Sequence, residues 1–165
     1  MTFGDADEVD LRTKLEERGI NLDQKNEQFQ ILTEDETYLS GGSFAKDRMA
    51  GMLKDLLEKA KNNPNTAVRT LGEMSWVLRN LKGTNELAEY ESMVNDLCDT
   101  YNCTLACAYD VNKFNARVLS DAFATHTHIV LNGVIHENPH YMHPEEFLLH
   151  VARRHSGPGK IQIEA

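Results

Sequence analysis

Apolar residues recur along this chain in two patterns, runs stepping by three and four that predict helices and short contiguous runs that predict strands. Asp7 to Arg18 reads as a first helix with Val9 and Leu15 along it and Gly19 as its stop. Phe29 to Leu32 is a short apolar run, expected as a strand. Gly41-Gly42-Ser43 makes a turn, and Ser43 can cap a helix from Phe44 to Ala60. Met49, Met52, Leu53, Leu56, Leu57 and Ala60 form its buried face, and Asn62-Asn63-Pro64-Asn65 ends it. Ala67-Val68 is a short strand that delivers Arg69-Thr70-Leu71-Gly72-Glu73 to its end, and a helix with Met74, Trp76 and Leu78 follows. From Gly83-Thr84, Leu87, Tyr90, Val94, Leu97 and Tyr101 form the narrow apolar stripe of one helix. Thr104 to Tyr109 is apolar, as a strand covered on both faces would be.

Phe114 to Ala124 is a further helix, with Phe114, Val118, Leu119, Ala122 and Phe123 on one side. Ile129-Val130-Leu131 and Val134-Ile135, joined by Asn132-Gly133, predict a hairpin. Pro144 suits the first turn of a last helix carrying Phe147, Leu148 and Val151, which Gly157-Pro158-Gly159 ends. This alternation predicts an α/β fold, a mostly parallel sheet flanked by helices with an antiparallel edge hairpin. The 165 residues suffice for one domain, 1–165, with its own core.

Composition narrows the function classes. Hydrophobic residues make up 41% of the chain, and no apolar run reaches bilayer length. The first residues lack the basic and apolar regions of a secretory signal, so the expected location is cytoplasmic. A net charge of −9 repels phosphate backbones, and Arg153-Arg154 is the one dense basic spot; neither nucleic acid nor membrane is an expected partner. Three cysteines, Cys98, Cys103 and Cys107, fit a reducing compartment better than a disulfide framework. Their spacing is not that of a zinc knuckle, and buried thiols are the simpler reading.

Arg69 and Glu73, at the carboxyl end of a strand, are the first candidates for a site, because open α/β sheets place their ligand crevice there. The arginine fork suits a carboxylate or phosphate, and the glutamate accepts from hydroxyls or amines. The alternative is that they pair with each other or cap backbone. Trp76 reads as core before ligand platform. Asp110 stands where a Walker B aspartate would. No Gly-x-x-x-x-Gly-Lys-Ser/Thr accompanies it, so a turn aspartate is the better reading. All seven histidines lie between residues 126 and 155. They match no standard ligand spacing, and no metal site is assigned. No nucleophile elbow or dinucleotide loop points to catalysis.

Several blocks, in order, resemble one family. They are Tyr38-Leu39-Ser40-Gly41-Gly42-Ser43-Phe44, Arg69 with Gly72-Glu73-Met74-Ser75-Trp76, Tyr90-Glu91, Tyr109-Asp110, Asp121 with His126, and Asn138-Pro139 through Pro144-Glu145-Glu146. Together, over about residues 8–150, they resemble the MEDS domain, a sensory domain named for methanogens, methylotrophs and the dichloromethane-responsive regulator. The resemblance implies a RecA/KaiC-like α/β fold and a signal-input module for small molecules, hydrocarbon derivatives among them. Family members usually begin with an extra segment carrying a His-x-Cys-x-x-Tyr-like stretch, a strand and a helix, and this chain reads as starting after it. The family's His-Pro is His126-Thr127 in this chain.

The expectation is therefore a non-catalytic sensory module that binds a small molecule and relays it to a signalling partner. Arg69, Glu73, Asp110 and His126 would form the pocket, with Tyr109 and Trp76 as apolar walls. No cofactor is named by the sequence. The competing readings are a nucleotide-binding relative of RecA-like ATPases and a metal-binding protein using the C-terminal histidines. The Leu87–Tyr101 stripe could serve a homodimer, but one amphipathic helix packed on a sheet explains the same stripe and is the preferred reading.

Overall fold

The computed structural model describes residues 5–20, 29–61 and 67–155, the side chains of 5–8 and 155 apart. Helix α1, Asp5–Glu17, ends as expected at Gly19, whose φ of +79° closes the last turn. Gly19 N–H donates to the Glu16 carbonyl and Ile20 N–H to that of Leu15. The expected strand at Phe29–Leu32 is reduced to an isolated bridge at Leu32. A run of turns over 34–41 follows and buries Thr37, Tyr38 and Leu39.

Helix α2, Lys46–Lys61, begins two residues later than the sequence suggests. Met49, Leu53 and Leu57, four apart, form its buried line, while Leu56 is exposed. The Asn62–Asn65 segment lies outside the described residues.

Strands β1, Val68–Glu73, and β2, Cys103–Ala108, pair in parallel from Val68↔Cys103 to Glu73↔Ala108. The strand thus runs on through Arg69–Glu73 and does not stop at Val68. Pairing with β2 carries it forward, and Met74 N–H adds a bond to the Ala108 carbonyl. Arg69 consequently stands near the amino end of β1, and only Glu73 stands at the carboxyl end. A 3₁₀ turn, Ser75–Arg79, replaces the expected helix and closes at Asn80, φ +51°.

After a second 3₁₀ turn, Thr84–Glu86, the expected single helix is divided into α3, Leu87–Met93, and α4, Asn95–Thr100. Asn95 accounts for the break. Its side-chain amide donates to the Glu91 and Ser92 carbonyls, which a continuous helix would use itself. Leu87, Tyr90 and Val94 are buried in the chain's own core, with Leu97 and Tyr101 packed against it.

Helix α5, Ala116–Thr125, is capped by Asn115, whose side-chain oxygen accepts from Val118 N–H at 3.1 Å. Strands β3, His128–Leu131, and β4, Val134–Glu137, form the expected hairpin; Asn132 and Gly133 both take positive φ, as its two-residue turn requires. The hairpin is its own two-stranded sheet and not an edge of β1–β2. Val130, Leu131, Val134 and Ile135 are exposed on it, so the apolar runs that predicted strands do not dock on the core. Helix α6, Pro144–His155, buries Phe147 and Val151 and leaves Leu148 partly exposed. The Gly157-Pro158-Gly159 stop lies outside the described residues.

The architecture is a mixture of helices and strands, with two two-stranded sheets among the described residues; a larger parallel sheet is not among them. Helix α3 is central and packs against α2, α5 and α6. The core is aromatic. Tyr38 stacks on Trp76 at 4.9 Å, and Phe44 and Tyr90 close edge to face at 5.7 Å. No described helix is long and apolar enough to cross a membrane.

Candidate functional site

Leu87, Tyr90, Glu91 and Val94 fall at i, i+3, i+4 and i+7, so a carboxylate shares the buried stripe of α3. Glu91 is only 3% exposed. A carboxylate taken from water needs partners on both oxygens. One oxygen, Oε1, accepts from the Tyr109 hydroxyl at 2.8 Å. The other, Oε2, lies 3.5 Å from Cys107 Sγ and 3.4 Å from His126 Nε2.

Three elements bring these groups together. Helix α3 supplies Glu91, β2 supplies Cys107 with Tyr109 just beyond it, and the residue after α5 is His126. Asn95 ties α3 to the end of α5 by donating to the Thr125 carbonyl at 2.8 Å as well as to that of Glu91. The buried Asn138 holds the far side. It donates to the Phe123 and His126 carbonyls at 2.6 and 2.7 Å, and its side-chain oxygen accepts from His140 N–H. The Asn138-Pro139 turn expected to be structural is thus a brace for His126.

The tautomer of His126 follows from its surroundings. Nδ1 lies 2.6 Å from the Ala122 carbonyl oxygen. A carbonyl only accepts, so Nδ1 carries the proton. The other ring nitrogen, Nε2, is the one that stands 3.4 Å from Glu91 Oε2. Burial first, and the Glu91 charge second, push the Cys107 thiol well above its usual range. The same two causes raise the Tyr109 phenol. Both groups therefore face Glu91 as proton donors.

Beside this cluster is a cavity of about 340 Å³, at the small end of ligand pockets. Leu87, Ala88, Val118, Ala122 and Val151 supply apolar wall, and Glu91, Tyr109, Asp121 and Arg154 supply polar wall. Arg154 Nη2 is 2.7 Å from Asp121. Geometrically this is an ion pair without a hydrogen bond, and the buried Arg154 Nε has no hydrogen-bond partner.

Of the residues singled out from sequence, Tyr109 lines this cavity and His126 touches Glu91. Trp76 is 1% exposed within the aromatic core. Arg69 is exposed on β1. Glu73 accepts from the Ser75 N–H and hydroxyl. Asp110 accepts from Asn112 N–H and pairs with Lys113 at 3.3 Å, the turn role its sequence context suggested. The backbone bond from Asn112, then Lys113, hold its carboxyl below the usual range. Sequence reasoning gave no site role to Glu91, Cys107, Asp121 or Arg154, although Glu91 and Asp121 stand in the family blocks and Cys107 was expected as a buried thiol. Glu91 was findable, as a carboxylate inside an apolar helical stripe.

These features define a mixed α/β protein with a helix-walled cavity beside a buried ionisable cluster. The family model for MEDS, the methanogen/methylotroph, DcmR sensory domain, matches residues 1–127, and the chain belongs to that family. The match takes in Glu91, Cys107, Tyr109 and His126, while the hairpin and α6 lie beyond it. No curated protein matches the chain. No solved structure matches it either.

Proposed function

We propose that this sensory domain binds a small molecule in the cavity between α3, α5 and α6, without catalysis, and relays occupancy to a signalling partner. One observation carries the reading. A cavity with largely aliphatic walls meets a nearly sealed carboxylate, Glu91, on one side and an incompletely satisfied arginine, Arg154, on the other. That pairing suits a compact ligand with an apolar body and one polar end, and small hydrocarbon derivatives are the candidate class. Tyr109 and His126 belong to this pocket through Glu91. The parallel β1–β2 pair, joined through α3 and α4, supports a RecA/KaiC-like arrangement. A ligand that binds one packing of α3, α5 and α6 better than another would shift the population between them, which is the signal.

The test is a thermal-shift screen of short alcohols, halogenated alkanes and carboxylic acids against the parent chain and Ala122→Phe, which fills the cavity. A ligand at 100 times its Kd stabilises by about 2.7 kcal/mol, and the filled variant should show no shift. Equal shifts in both chains would reject the cavity. Arg69→Ala and Glu73→Ala complete the set: loss of binding there, with Ala122→Phe unaffected, would move the site to the strand rim. Mg²⁺-dependent ATP turnover would overturn the non-catalytic reading.

A further inference from the structure

We infer that Glu91, Cys107 and His126 form a site for one transition-metal ion of the zinc class, with a fourth position turned toward the cavity. One ligand atom from each of the three residues lies within 4.8 Å of the other two. Tetrahedral Zn²⁺, with bonds of about 2.3 Å to sulfur and 2.0–2.1 Å to nitrogen or oxygen, separates its ligands by roughly 3.3–3.6 Å. Two separations already match, 3.5 Å for Cys107 Sγ to Glu91 and 3.4 Å for His126 Nε2 to Glu91. The sulfur–nitrogen separation lies within the same 4.8 Å.

The surroundings point the same way. His126 gives its Nδ1 proton to a backbone carbonyl, the arrangement that fixes a metal-ligating imidazole with its other nitrogen free. The Tyr109 hydroxyl occupies Glu91 Oε1 and so leaves Oε2, the oxygen nearest Cys107 and His126, for the ion. A carboxylate and a thiolate would neutralise a divalent charge that burial otherwise penalises. Thiolate with imidazole selects zinc, cobalt or a similar ion over magnesium or calcium. On binding, the Cys107 S–H bond breaks, a sulfur–metal bond forms and the proton leaves to solvent. Glu91 lines the cavity, so the fourth ligand would be water or the polar end of a bound molecule. The site does not depend on the sensory reading, since an ion can bind whether or not the cavity takes an organic ligand.

The experiment is Co²⁺ and Zn²⁺ titration of untagged, chelator-treated protein, with visible and near-ultraviolet absorption and elemental analysis. One ion per chain is expected, with the spectrum of tetrahedral Co²⁺ and a thiolate charge-transfer band. Cys107→Ser should abolish that band. Glu91→Gln and His126→Gln should each weaken binding by more than about 100-fold, and Tyr109→Phe by roughly 10-fold. His140→Ala with His143→Ala should change nothing. An octahedral spectrum without a thiolate band in the folded parent chain would overturn the site whatever the variants do. So would binding that survives Cys107→Ser and disappears with His140 and His143.

Discussion

Replacing Gly72 by alanine tests whether the glycine is there to admit a tyrosine. A Cβ at this position would lie 2.2 Å from the Tyr38 hydroxyl oxygen, 3.3 Å from its Cζ and 3.6 Å from Met74 Sδ. Restoring an ordinary 3.4 Å contact to the hydroxyl requires a shift of about 1.2 Å. Tyr38 cannot easily make it. Its ring is buried, stacked on Trp76 at 4.9 Å and set edge-on to Tyr90 at 6.2 Å. Overpacking of this kind costs about 1–3 kcal/mol, and disturbing the hydrogen bond between the Tyr38 and Tyr90 hydroxyls adds about 1. The lower chain entropy of alanine in the unfolded state returns about 0.4–1 kcal/mol. The net expectation is about 2–3 kcal/mol, or roughly 5–10 °C in Tm for a chain of this size. Tyr38→Phe deletes the clashing oxygen, so the double variant should be about as stable as Tyr38→Phe alone. A coupling of about 2–3 kcal/mol in that cycle, equal to the cost of Gly72→Ala and measured by urea unfolding, is the signature. Unchanged stability of Gly72→Ala, or simple addition of the two costs, would refute the packing argument.

Two further predictions concern stability. Gly83→Ala should cost more than Gly72→Ala, above about 3 kcal/mol, because φ is +90° and the added Cβ would meet the Phe44 backbone oxygen at 2.0 Å. Urea unfolding of the two variants side by side checks the order. The second is alkaline lability. Burial, as the largest cause, raises the Tyr38, Tyr90 and Tyr109 phenols above their usual range. The unfolded chain releases those protons near pH 10 while the folded chain keeps them, so the phenols' contribution to stability is full below pH 10 and falls as pH rises above it. Each phenol contributes a slope of about 1.4 kcal/mol per pH unit there. In a pH titration followed at the tyrosinate absorption, these three of the five tyrosines should ionise together with unfolding.

Much of the element order was legible because it rests on local rules. The stripe Met49, Leu53, Leu57, the Asn132-Gly133 turn, Gly19 as a stop and Pro144 at the start of α6 each need only neighbouring residues, and each is found near its expected place. The misses turn mostly on partners distant in sequence. The length of β1 depends on β2, the break at Val94 on where the Asn95 amide goes, and the hairpin's separation from β1–β2 on whether its apolar faces find a core. Side-chain identity decides none of these locally.

The same division holds for the site. On its own, the order of motifs established the family, and apolar periodicity established that α3 is buried along Leu87, Tyr90 and Val94. The spacing puts Glu91 on that same face, although the sequence reading did not single it out. Only tertiary packing decided what a buried carboxylate would meet, because Cys107 and His126 are 16 and 35 residues further along the chain (107 − 91 and 126 − 91) and reach it from a strand and a helix end. Periodicity reports which residues leave water. Which of them then touch is set by how the elements cross, and the chemistry at Glu91 depends on that crossing.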